Sequence, residues 1–200
     1  MKLRFDPPQD GQVHTYCFDC QQETVKFASG IYSCSRCSSQ HRRAIIIDPQ
    51  VSWWLDKNRE YWHETAGVFV VDERDRFLFF LRKKFPPGLT GPAGHVDTGE
   101  TFMAAAVREL FEETTIRATN VTPIAVDDIW GDECRRGSEV HRWGSFAYRV
   151  PKGTAVKIDK REGSNPVWLT LDQALARNSN LTYATRFVLE RHGGAILAVV

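Results

Sequence analysis

The chain has 200 residues, 42% of them hydrophobic and 26% charged, with 26 Lys and Arg against 25 Asp and Glu and a formal net charge of +1. This composition belongs to a globular chain that buries a core, and it excludes wholesale disorder. Near-neutrality also excludes a protein that coats nucleic acid through bulk charge. No apolar run reaches the roughly 18 residues of a membrane helix, and the start MKLRFDPP has no apolar signal region. The sequence therefore reads as a cytoplasmic chain with no membrane partner. Its length fits one domain plus a small module.

Four of the five cysteines are paired in sequence: Cys17-x-x-Cys20, then 13 residues, then Cys34-x-x-Cys37. Each pair can present two thiolates from one tight knuckle, and two knuckles supply the tetrahedral soft set that zinc prefers. Thr24 to Tyr32 reads as strand, Ala28-Ser29-Gly30 turn, strand, a hairpin that brings the knuckles together. The expectation is a structural Zn²⁺ in a zinc ribbon over residues 1–45. Two disulfides are the competing reading, weakened by the missing signal segment and by the unpaired Cys134. Residues 1–45 carry six basic and four acidic side chains, with Arg36, His41, Arg42 and Arg43 forming a modest basic cluster. Nucleic-acid contact is open but not favoured, because charges this sparse usually form a solvated face.

Residues 46–61 read as a linker after Ala44–Asp48, an apolar run that could close the ribbon. Trp53 and Trp54 in that linker are expected to pack under the next domain. Residues 62–200 then alternate strand-like and helix-like segments. Ala66–Val71 and Phe77–Leu81 flank the charged turn Asp72–Asp75, and Phe85–Pro92 is a loop by composition. Glu100–Thr114 reads as a helix, Val121–Ile129, Trp143–Val150 and Val167–Leu169 as strands, and Leu171–Ala176 and Thr182–Arg191 as helices. That mixture predicts a layered α/β domain.

The chemistry concentrates in one helix and the loop before it. Glu109, Glu112 and Glu113 stand at i, i+3 and i+4, on one helical face. Three carboxylates there repel unless a cation sits among them, and Arg108 alone does not neutralise them. A hard divalent cation with oxygen ligands would. Gly94, in the preceding loop, lets the backbone approach the same cation. Carboxylates with Mg²⁺ usually serve phosphate chemistry. A solvent-exposed acidic face is the competing reading of the three glutamates taken alone.

The wider spacing is Gly94, five residues, Glu100, seven residues, then Arg108-Glu109-Leu110-x-Glu112-Glu113-x-x-Ile116. It resembles the Nudix box, G-x5-E-x7-R-E-U-x-E-E-x-G-U with U apolar, at eight of nine fixed positions. A chance match in a chain this long is below roughly one in 100,000 at ordinary residue frequencies. Thr115 stands where the box has glycine.

This resemblance implies a Nudix-type α/β/α sandwich with a mixed sheet behind the ribbon. It implies a metal-dependent pyrophosphohydrolase, cleaving a nucleoside diphosphate linked to another moiety by water attack at phosphorus. Glu109, Glu112 and Glu113 would hold catalytic Mg²⁺ or Mn²⁺ with the Ala93 carbonyl, and Arg108 would orient a glutamate with Glu100 as its partner. Glu162, in Lys160-Arg161-Glu162-Gly163, resembles a further acid used by the oxidised-dGTP-cleaving branch, as ligand or base. Asp127, Asp128, Glu133 and Glu139 are its rivals. Arg82 and Gly94 are the candidate substrate contacts, with Lys83 and Lys84 near Arg82.

A ribbon before such a domain is similar to the NADH pyrophosphatases. Their S-Q-P-W-P-F-P-x-S motif is absent from Val121–Glu139. The expected substrate is therefore an unspecified nucleotide-type small molecule. The alternative is a nucleotide-sensing binding protein whose ribbon contacts nucleic acid or a protein; retention of all the box glutamates favours the enzyme. Trp130 and Trp143 read as core residues before base-stacking ones. Cys134 reads as a buried thiol without a role, and His63, His95 and His141 show no interpretable spacing.

Overall fold

A computed structural model describes residues 1–151, 153–176 and 180–200. The N-terminal segment forms β1 (His14–Tyr16), β2 (Val25–Ala28), β3 (Ile31–Cys34), β4 (Gln40–His41) and β5 (Ile45–Ile47). β2, β3 and β4 make a small antiparallel sheet, and β1 pairs with β5. The β2–β3 turn places Ser29 at φ 50° and Gly30 at φ 81°, the doubly left-handed turn whose twist suits a tight hairpin.

β6 (Trp53–Leu55) pairs with the start of β7 (Tyr61–Val71), so the segment read as a linker carries a strand of the main sheet. Trp54 stacks on Trp62 at 5.4 Å across that pair, and Trp53 meets the edge of Tyr61 at 5.7 Å. β8 (Arg76–Arg82), β9 (Gly88–Thr90) and β10 (Ala93–His95) follow, then α1 (Phe102–Thr114), β11 (Thr122–Trp130), β12 (Val140–Arg149), β13 (Gly163–Thr170), α2 (Leu171–Ala176) and α3 (Tyr183–Val199). The main sheet runs β11-β12-β7-β8-β13, with β6 and β10 added to β7 and β9 added to β8. β12 and β7 are parallel and the other pairs are antiparallel.

Side-chain alternation explains the layers. Ala66, Val68 and Val70 of β7, Leu78 of β8 and Phe146 of β12 pack with Ala105, Ala106 and Leu110 of α1. Phe69, Val71, Phe77, Phe79 and Ala147 turn the other way, onto Val188, Leu189 and Ile196 of α3. Truncating a fully buried residue such as Leu110 to Ala would cost roughly 2–5 kcal/mol. α3 runs beyond its expected end through Gly193 and Gly194. A Cβ at Gly193 would lie 2.6 Å from the Leu171 side chain, so glycine permits the close packing of α3 on α2.

The expected α/β/α architecture is therefore the observed one. A third cluster, Leu3, Tyr16, Ile45, Ile47 and Tyr61, joins the N-terminal segment to the start of β7. The Tyr61 hydroxyl donates to the Ile46 carbonyl at 2.7 Å. Ala44 and Ile46 donate their N–H groups to Arg135 and Arg136 carbonyls at 3.2 and 3.1 Å. Gly137, at φ 88°, allows this approach, since a Cβ there would lie 2.8 Å from the Ala44 carbonyl oxygen. Among the described residues no helix is long and apolar enough to cross a membrane.

Candidate active site

α1 begins at an N-cap, Thr101, whose side chain accepts from Ala104 N–H at 3.2 Å. It ends at Thr115, which takes φ 62° and donates its N–H to the Phe111 carbonyl. Thr115 thus adopts the left-handed cap conformation for which the box glycine is suited, despite its β-branch. The helix projects Glu109, Glu112 and Glu113 into a cleft of about 260 Å³ also lined by Arg82, Ala93, Gly94 and Glu162. A Cβ on Gly94 would lie 2.0 Å from Oε1 of Glu109.

Arg108 organises the acids. Its Nε and Nη2 donate to Glu100 at 3.1 and 2.8 Å, and Nη1 donates to Glu109 at 2.6 Å. Nη2 also reaches the His95 carbonyl at 3.0 Å. The guanidinium holds the Glu100 carboxyl below its usual range. Burial raises the Glu109 pKa despite Arg108. Glu113 is only 6% exposed, and burial together with repulsion from Glu109 pushes it up to about 8. Its Oε2 accepts from Ala93 N–H at 2.9 Å. Glu112 remains open to solvent.

A divalent cation fits this arrangement. The buried Glu113 and the partly buried Glu109 repel each other and face a cleft with the exposed Glu112, and all three offer hard oxygen donors. That donor set suits Mg²⁺ or Mn²⁺. Of the five candidate acids beyond the box, Glu162 lines this cleft, ion-paired to Lys84. Asp127 pairs with His192, Asp128 with Arg142, and Glu139 with Arg43. Glu133 lines an adjoining recess. Arg82 faces both spaces, with its buried Nε lacking a hydrogen-bond partner.

The four paired cysteines converge, none in a disulfide. Cys17 and Cys37 sulfurs are 3.6 Å apart, and those of Cys20 and Cys34 are 3.7 Å apart. Four sulfurs about 2.3 Å from one tetrahedral ion would be about 3.8 Å apart. Thr24 and Ser39 hydroxyls sit 3.1–3.2 Å from these sulfurs.

The basic cluster expected on this segment does not form one patch. Arg43 is buried against the Phe18 ring and pairs with Glu139, while His41 pairs with Asp19; only Arg36 and Arg42 are exposed. Trp143 is buried beside the recess, as expected of a core residue. Trp130 departs from that expectation: it is 54% exposed, resting against the edge of Trp62.

The NUDIX domain profile matches residues 61–187. The chain belongs to the Nudix family of hydrolases. No curated protein sequence matches it. Among solved structures, the Nudix fold recurs in a MutT protein from Methanosarcina mazei, 19% identical, with a TM-score of 0.57 over 67% of this chain and 94% of that one. It recurs in an Ap4A hydrolase from C. elegans, 24% identical, TM-score 0.55, over 69% and 99%. It recurs also in a bifunctional NMN adenylyltransferase/ADP ribose pyrophosphatase from Francisella tularensis, complexed with AMP and a Mn ion, 21% identical, TM-score 0.56, over 67% and 42%.

One convergence in this Nudix chain had no signal in the sequence. His63, His95, Cys134 and His141 bring one ligand-type atom each within 4.8 Å of one another. They come from β7, the end of β10, the loop before β12, and β12 itself. No short spacing links them, so only the sheet register reveals the group.

Proposed function

We propose that this Nudix hydrolase cleaves a phosphoanhydride bond in a nucleoside diphosphate linked to a second moiety, by attack of water at phosphorus. The single observation that carries this reading is the convergence of Glu109, Glu112, Glu113 and Glu162 on one cleft with Arg82. Glu109, Glu112 and Glu113, with the Ala93 carbonyl, would hold Mg²⁺ or Mn²⁺. Such an ion, when bound, neutralises phosphate oxygens and lowers the pKa of bound water. Arg108 orients Glu109 and keeps Glu100 ionised. Gly94 keeps the cleft floor open beside Glu109. Arg82 supplies positive charge for a substrate phosphate, and Glu162 a further carboxylate as ligand or proton acceptor. The Cys17, Cys20, Cys34 and Cys37 set is read as a structural Zn²⁺ site of a ribbon, closed to water by its four thiolates.

The test is a product assay with Mg²⁺ and, separately, Mn²⁺. Substrates would be NADH, ADP-ribose, nucleoside triphosphates, an oxidised dGTP, a dinucleoside polyphosphate and a capped RNA. Cleavage that disappears with EDTA and with Glu113→Gln supports the reading. A folded, metal-supplied protein that cleaves none of them would favour a nucleotide-sensing role instead.

A further inference from the structure

The His63, His95, Cys134 and His141 group adjoins the acidic cleft, whose lining includes His95 and Cys134, and it joins the main sheet to the loop that contacts the N-terminal segment. Nδ1 of His63 is 3.1 Å from Nε2 of His95 and 3.6 Å from Sγ of Cys134. Around a tetrahedral zinc, with Zn–N about 2.05 Å and Zn–S about 2.3 Å, two nitrogens are about 3.3 Å apart and nitrogen and sulfur about 3.6 Å. These two separations match those of ligands that share one ion.

Burial makes the group expensive without one. His63 is 0% exposed, His141 1% and Cys134 8%. Without an ion, the buried Nδ1 of His63 faces only other ligand-type atoms, Nε2 of His95 and Sγ of Cys134, whereas buried polar groups are normally well paired. Asp132 Oδ2 lies 3.1 Å from Nδ1 of His141, the carboxylate–imidazole pairing often found behind metal-bound histidines.

We propose that His63, His95, Cys134 and His141 form a second metal site, of His3Cys composition, that binds zinc. Cys134 binds as thiolate and its proton passes to solvent. Three imidazoles and a thiolate select a borderline-soft ion, whereas the carboxylates of the adjoining cleft suit Mg²⁺ or Mn²⁺. Four protein ligands leave no open position, so the site is structural. Its position beside the box loop matters, because His95 follows Gly94 and its carbonyl receives Arg108. A metal holding that imidazole would fix the box loop against the sheet and tie the Cys134 loop to both.

This second site stands independently of the hydrolytic reading and of the cysteine site. Zinc-supplemented protein, purified in excess Mg²⁺ to fill the oxygen site, would be analysed for zinc content and by zinc K-edge absorption. Two zinc per chain, with a mixed sulfur and imidazole shell, is the expected result. Cys134→Ser and His63→Gln should each remove one equivalent and the imidazole signature, leaving an all-sulfur shell. One zinc with an imidazole-rich shell would support this site and overturn the cysteine site. One zinc with sulfur alone, or none at all, would overturn the second site. The wild-type spectrum decides even if the variants fail to fold.

Discussion

Gly94 and Glu109 approach so closely that a Cβ on the glycine would sit 2.0 Å from Oε1 of the carboxylate. Gly94→Ala must therefore push the Glu109 side chain aside while disturbing little backbone. A displacement of about 1 Å at a catalytic group can cost roughly 100-fold in rate. The expected outcome is a loss of that order in kcat with a nearly unchanged melting temperature. Steady-state kinetics alongside a thermal melt check it.

Arg108 grips Glu100 through two nitrogens and Glu109 through a third. Lysine keeps the charge but lacks the fork. Arg108→Lys should raise the Mg²⁺ concentration for half-maximal activity roughly tenfold, the cost expected when a residue that orients a ligand is lost. A metal titration of turnover would read this directly, and an unmoved midpoint would remove Arg108 from its positioning role.

Glu113, buried and repelled by Glu109, should make the folded protein a better metal binder than the unfolded chain. Mg²⁺ at 100 times its dissociation constant would then add about 2.7 kcal/mol of stability. In Glu113→Gln both this gain and hydrolysis should vanish, while the metal-free protein stays folded. Melting curves with and without Mg²⁺ make the comparison.

Thr115 holds a left-handed φ of 62° at the end of α1. That conformation costs an L-residue roughly 1–2 kcal/mol, and glycine largely escapes it. Thr115→Gly should stabilise the fold by up to about 1 kcal/mol, seen as a higher urea midpoint at unchanged slope.

Asp72 is buried at the β7–β8 turn and accepts from Arg74 N–H, Arg76 N–H and the Arg76 guanidinium. Burial opposes its charge, but the Arg76 contacts outweigh this and hold its pKa below 3.8. A depressed carboxyl contributes stability above its unfolded pKa and loses it as pH falls through the folded one. Asp72→Asn should therefore cost roughly 1–3 kcal/mol near neutrality, with the difference from wild type shrinking as the solution is acidified below about pH 4. Denaturation midpoints at several pH values would show the convergence, and a constant difference would contradict it.

The acidic helix was legible because its chemistry is local. Glu109, Glu112 and Glu113 lie within one turn of each other, and Gly94 and Glu100 only a short loop away. Strand patterning likewise revealed most of the sheet. Trp53–Leu55 escaped because its strand character depends on pairing with β7, which no local pattern encodes. Arg43, which is buried, looked like surface charge because its partner Glu139 lies 96 residues away. The histidine group was invisible for the same reason: His63 and His141 face each other only through the parallel register of β7 and β12.

The loop before β12 offers its Arg135 and Arg136 carbonyls to Ala44 and Ile46 on one flank and Cys134 to the histidines on the other. Ser138 within it donates to the Tyr61 carbonyl. Strand β5 is thereby enclosed between β1 and this loop. Neither half of the chain can come apart without orphaning backbone groups in the other. The N-terminal segment and the hydrolase domain should accordingly unfold as one cooperative unit, and a single calorimetric transition is the expected result.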